Sequence, residues 1–155
     1  MLIKYLTFGI SIAFISWIVG MIGNALLKHT SFYKKHLYNL NFINSERINK
    51  LIGIDIIKWI VKKTFFKFFN PNLKMKSKTD IANLSYLRNE MTTAEISHLM
   101  AFIFAAFFAL IKFINQDYLF GLIMTVINIL MNLYPSLLQQ QNKRRIDKLE
   151  QYLIN

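Results

Sequence analysis

The chain has 155 residues, of which 54% are hydrophobic, 15% aromatic and only 17% charged. A soluble domain of this size has trouble hiding so much apolar surface, so the net charge of +11 points to an anionic membrane face rather than to nucleic acid, which would leave the apolar runs unexplained. Cysteine is absent, which excludes disulfides and thiolate metal sites.

The length fits one membrane domain covering residues 1–155. Its first element is the uncharged run from Tyr5 to Leu27, bracketed by Lys4 and Lys28. Such a run crosses ~30 Å of hydrocarbon with some tilt. The segment before it is short, its apolar core is long, and no small-x-small cleavage site follows, so it reads as an uncleaved membrane helix rather than a signal peptide. Gly20, Gly23 and Asn24 near its end allow close helix packing or a local bend.

Residues 28–92 form a basic loop, with 13 Lys and Arg against Glu46, Asp55, Asp80 and Glu90. The positive-inside rule makes this loop cytoplasmic. Within it, Ile54 to Phe69 mixes Trp59 and four Phe with four Lys. That stretch is too charged to span. It reads as an amphipathic helix lying in the membrane interface, or alternatively as one packed on a soluble core. Asn70-Pro71-Asn72 ends it. A short helix from Ile81 to Met91 follows, capped by Thr79 or Asp80, with Ile81, Leu84, Leu87 and Met91 on its apolar side.

The second span covers residues 93–114. Its charge-free core, Leu99 to Ile111, is short, and Lys112 lengthens it by snorkelling outward. At its mouth stand Glu95 and His98, three residues apart and so on one helical face. Ionisable groups there are costly and suggest a functional site. The plainer reading makes Thr92 and Glu95 a capping box, which leaves His98 as the more informative residue. Glu95, His98, Phe102, Ala105, Ala106 and Ala109 share one arc, with small side chains leaving room for a neighbouring helix or an acyl chain.

Asn115-Gln116-Asp117 makes a short outer connection to a third span, residues 118–138. Thr125, Asn128, Asn132, Ser136, Gln139 and Asn142 form a polar stripe on it, either helix adhesion or the lining of a cavity. The basic tail, residues 139–155, carries Lys143, Arg144, Arg145 and Lys148. The expected architecture is all-α, with three membrane helices, interfacial helices in the loop, an outer N-terminus and an inner C-terminus. Antiparallel second and third helices then bring acid, imidazole, amides and cations to one depth at the inner membrane surface.

The pattern Ala94-Glu95-x-x-His98, followed by Asn132, Gln139, Asn142 and Arg145, resembles the glycosyl-4,4'-diaponeurosporenoate acyltransferase family. These are small bacterial membrane proteins that attach a fatty acyl group to the sugar of a glycosylated carotenoid. Ile52-Gly53-Ile54 with Lys58-Trp59 is a weaker echo of that family's basic, Trp-containing loop. The resemblance covers roughly residues 46–148. The chain departs from the pattern at Thr92 and Thr93, where the family has basic residues, and at Leu99, where it has Trp. It departs again at Gln140, Gln141 and Lys143, where the family has Arg, Tyr and Arg.

The resemblance implies a membrane acyltransferase acting without a cofactor at the bacterial inner membrane. His98 would be the general base and Glu95 would orient it. Asn132, Gln139 and Asn142 would bind substrate. Lys143 and Arg145 would hold an anionic acyl donor, with a glycosylated carotenoid or lipid as acceptor. The alternative is a non-catalytic membrane subunit whose basic loop binds lipid. A di-iron bundle is excluded because Glu-x-x-His occurs once and neither His29 nor His36 completes a metal set. No phosphate-binding Gly loop and no flanked Ser or Cys nucleophile is present.

Overall fold

The computed structural model describes residues 1–43, 45–63 and 81–154. Among them there is no strand, and three helices are long and apolar enough to cross a membrane. The first, α1 (Leu2–Leu27), presents apolar side chains outward nearly all round. Its buried positions, Gly9, Ile12, Ala13, Ser16, Gly20 and Asn24, recur every three or four residues and form one narrow seam. Small residues there let helix backbones approach closely. The closest approach is at Gly20, where an added Cβ would lie 2.1 Å from the Ser97 carbonyl oxygen.

A π-helical turn, Tyr33–Leu37, follows, then two short helices, α2 (Glu46–Leu51) and α3 (Ile54–Lys63). Gly53, at φ +75°, supplies the left-handed residue that ends α2, and its carbonyl accepts the Ile57 N–H at 3.2 Å to start α3. Ile54 is buried against Leu137 and Leu138, and the Tyr134 hydroxyl donates to the Ile52 carbonyl at 2.6 Å. Trp59 and Ile56 are exposed, as an interfacial helix requires. The expected continuation to Phe69, its end at Asn70-Pro71-Asn72 and the cap at Thr79 or Asp80 lie outside the described residues.

The separate helix expected over 81–91 does not exist as such. It is the first third of α4 (Ile81–Ile114), a continuous helix of 34 residues. At 1.5 Å per residue it is about 51 Å long, well beyond the ~30 Å hydrocarbon core. Thr92 therefore sits mid-helix, and its hydroxyl donates back to the Arg88 carbonyl at 2.9 Å. The capping-box reading of Thr92 and Glu95 falls with this.

The connection at residues 115–117 reverses the chain with Gln116 at φ 63°. Then α5 (Tyr118–Asn128), a π-helical turn (Ile129–Leu133) and α6 (Tyr134–Ile154) run on without a break. The basic tail is thus the continuation of the third span, not a separate segment. Pro135 accounts for the π turn. It has no N–H for the Met131 carbonyl and its ring crowds that carbonyl, so the helix widens instead of stopping.

Candidate functional site

Three helices meet at the level of residues 92–98. From α4 comes Glu95, 0% exposed. From α6 come Gln140 and Lys143, one turn apart and also buried. Lys143 Nζ donates to Glu95 Oε2 at 2.6 Å and to the Tyr38 carbonyl at 3.2 Å. Gln140 Nε2 donates to Glu95 Oε1 at 2.8 Å. Both carboxylate oxygens are thus satisfied, which a buried charge requires. Tyr33 lies beside them. Burial holds its phenol above the ordinary value, and the Glu95 charge adds to the effect.

The segment after the first π turn is strapped across this pair. Phe42 N–H donates to Gln140 Oε1 at 3.1 Å, and the Tyr38 hydroxyl donates to Asn89 Oδ1 at 2.7 Å. Arg88 reaches Asn39 at 2.8 Å and Arg144 reaches Asn41 at 2.7 Å. Water is kept from the carboxylate by backbone as well as by helices.

One turn further along α4, His98 belongs to a different cluster. Its edge-on neighbour is Trp17 from α1, ring centroids 6.1 Å apart, and the Asn132 side chain stands beside its imidazole. Asn132, 0% exposed and inside the π turn, is fixed from three sides. Trp17 Nε1 donates to its Oδ1 at 2.9 Å, while its Nδ2 donates to Ser16 Oγ at 3.1 Å and Asn128 Oδ1 at 2.8 Å. Trp17 Nε1 also reaches the Met131 carbonyl, at 3.3 Å, the acceptor that Pro135 cannot serve. His98 Nδ1 is buried with no hydrogen-bond partner among the described residues.

Beyond His98 a groove of about 200 Å³ runs between α4 and α5. Phe102, Ala106, Ala109 and Phe113 form one wall, and Thr125 and Asn128 stand on the other. Asn128 Nδ2 donates to the Phe102 carbonyl at 2.9 Å, which seats the groove's polar end next to Asn132.

The expected site residues therefore separate into groups. Glu95 joins Lys143, and His98 joins Asn132. The expected orienting bond from Glu95 to His98 is not formed, because both Glu95 oxygens are taken from α6. Gln139 and Asn142 bond each other at 3.3 Å, and Asn142 also meets Met91 Sδ at 3.9 Å. Arg145 is exposed on α6, away from the buried pair. Reasoning from sequence missed Ser16, Trp17, Arg88 and the inward role of Gln140. Among the described residues, no cluster of three His, Asp or Glu could hold a metal.

A family model for glycosyl-4,4'-diaponeurosporenoate acyltransferase matches residues 29–151. The chain belongs to that family. No curated protein and no solved structure matches it. The matched segment is wider than the resemblance read from the motifs, and it holds Glu95, His98, Asn132, Gln139, Asn142, Lys143 and Arg145. It begins after α1. Ser16, Trp17 and Gly20 thus reach the site of this acyltransferase family member from outside the family segment.

The α1 contribution is testable. Trp17→Phe keeps the ring against His98 but removes the indole N–H from Asn132 and Met131. The expected loss is about 0.5–2 kcal/mol of stability, the range for one partly buried hydrogen-bond donor between membrane helices. It is measured as the unfolding midpoint in detergent. An unchanged midpoint removes Trp17 from the network.

Proposed function

We propose that this member of the family is a membrane acyltransferase that moves a fatty acyl group onto a sugar hydroxyl of a glycosylated carotenoid or similar glycolipid. His98 is the general base. The observation that supports this is the placement of a half-buried imidazole, with one ring nitrogen unpartnered among the described residues, between a rigid amide cluster and an apolar groove. A base needs spare capacity and a fixed position.

In this reading the acyl chain lies in the groove along Phe102, Ala106, Ala109 and Phe113, with its carbonyl near His98. The imidazole takes the proton of the sugar hydroxyl as the oxygen bonds to the acyl carbon. The imidazolium then returns the proton to the donor's leaving group, so the residue ends as it began. Asn132 holds the ring. Asn128, at the groove's polar end, supplies an amide dipole near the developing oxyanion. Gln139 and Asn142 stand as sugar-binding candidates on α6. Glu95 and Lys143 clamp α4 to α6 one turn from the base. In this reading the reaction takes place at the cytoplasmic face, with the N-terminus outside, and the basic loop and tail support that orientation.

The test is a lipid and pigment profile of cells making the wild-type chain or His98→Ala at matched membrane levels. The acylated glycolipid or carotenoid is expected to fall at least about 100-fold, the lower end for loss of a general base. Full product in His98→Ala sinks the base assignment. Absence of product in both, at equal expression, favours a non-catalytic subunit.

A further inference from the structure

We propose that α2 and α3 form a docking element for an anionic phospholipid surface, at the level where the second and third spans leave the hydrocarbon. The inference goes beyond the acyl-transfer reading and does not depend on it.

Depth is the first support. From Tyr118 the third span runs on through α5, the π turn and α6 without a break. At 1.5 Å per residue it has covered about 30 Å by Leu137, the thickness of the hydrocarbon core. Counted back from Ile114, the same length of α4 ends at Glu95. Leu137 and Leu138 are the residues against which Ile54 of α3 is buried. The Tyr134 hydroxyl donates to the Ile52 carbonyl, just before α3, at 2.6 Å. The helix α3 is thus fastened to the third span at the edge of the hydrocarbon.

The outward face of α3 is the second support. With Ile54 turned inward, steps of 100° place Ile56, Trp59 and Lys63 together on the opposite side. All three are exposed, Trp59 by 63%. A helix bordered by water turns polar side chains outward. This one turns out isoleucine and tryptophan, with a lysine whose stem lies well on apolar surface. The preceding helix α2, joined to it at Gly53, adds exposed Ile48 and Leu51. Exposed apolar groups with a polar rim mark an interaction surface, and tryptophan is favoured where headgroups meet acyl chains.

Charge selects the occupant. Among the described side chains of these two helices, Arg47, Lys50 and Lys63 are exposed against one exposed acid, Asp55. An anionic leaflet attracts each such cation, and a zwitterionic one does not. A protein partner would need to be acidic and apolar at once, and to reach a face that at this depth borders lipid. The leaflet itself meets all three conditions, with Ile56 and Trp59 in the acyl boundary and the cations among the headgroups. The anchor bears on the site through α6. Tyr134 and Leu137 follow Asn132 within two turns, so a docked α3 holds the amide cluster beside His98 at headgroup height.

The experiment reconstitutes the full chain in phosphatidylcholine vesicles doped with brominated phosphatidylglycerol or, at the same mole fraction, brominated phosphatidylcholine. Bromine is placed near the start of the acyl chain or near its end. Trp17 and Trp59 are the two tryptophans, so the Trp59 signal is wild type minus Trp59→Phe. Shallow bromine is expected to quench Trp59 more than deep bromine. Brominated phosphatidylglycerol is expected to quench it at least about twofold more than brominated phosphatidylcholine, because surface cations concentrate anionic lipid. The triple variant Arg47→Gln/Lys50→Gln/Lys63→Gln should lose that preference, and the wild-type comparison stands even if the variant fails to reconstitute. Equal quenching by the two head groups in wild type, or an undiminished preference in the triple variant, overturns the anionic surface. Stronger quenching by deep bromine overturns the depth. No quenching of Trp59 by any brominated lipid overturns the docking and gives this face to a protein partner or a second copy. None of these results bears on acyl transfer, which the pigment profile of His98→Ala tests separately.

Discussion

Lys143→Met is expected to destabilise the folded chain by about 3–5 kcal/mol, the range for breaking one partner out of a buried ion pair. Glu95 is 0% exposed and the Lys143 side chain 4%. With the ammonium gone, the carboxylate keeps one hydrogen bond from Gln140 and no counter-charge within contact. The strap from Tyr38 to Phe42 lies over the site and hinders water from taking the lysine's place. The double variant Glu95→Gln/Lys143→Met removes the charge as well and should recover most of the loss. Unfolding midpoints of the four proteins in one detergent close the cycle. A single-variant loss below about 1 kcal/mol would mean that the pair is solvated.

The second large effect belongs to Gly20. In Gly20→Val, the Cβ would stand 2.1 Å from the Ser97 carbonyl oxygen and 3.1 Å from the Ala101 nitrogen. Both are backbone atoms of a regular helix and cannot rotate away, so α1 must lift from α4. Overpacking costs about 1–3 kcal/mol where side chains can adjust, and here they cannot, so about 3 kcal/mol or more is expected. The displaced α1 would carry Trp17 and Ser16 off Asn132. Gly23→Ala is the matched control. Its Cβ would meet only the flexible end of Met100, at 2.8 Å, and about 1 kcal/mol or less is expected. Thermal midpoints of the two variants decide the point: equal losses would refute the backbone contact at Gly20.

The three long helices were legible because apolar runs bounded by Lys4, Lys28 and Lys112 leave a chain few other arrangements. The site was legible in composition and blurred in geometry. Thr92 and Glu95 spell a capping box locally, but Leu84 and Met91 pack on Ile146 of α6. That tertiary burial carries the helix straight past the box. Gln140 is not part of the polar stripe read from a wheel drawn at a constant 100° per residue. The π turn at Ile129–Leu133 gives one turn more residues than that wheel allows, which rotates everything after it. Gln140 and Lys143 swing inward to Glu95, and Arg145 stays outside. Pro135 was the visible signal for this shift. The link from Trp17 to Asn132 spans 115 residues, and no local pattern announces a contact of that kind.

The groove between α4 and α5 has a further consequence for kinetics. It opens sideways between helices whose outer faces carry exposed Ile103, Phe107, Leu110 and Leu122. A substrate that enters there arrives from the plane of the bilayer, not from water. The concentration that governs turnover is then a mole fraction among lipids. Adding inert lipid at fixed total substrate should slow the reaction by surface dilution, whereas adding buffer should leave the rate per membrane unchanged.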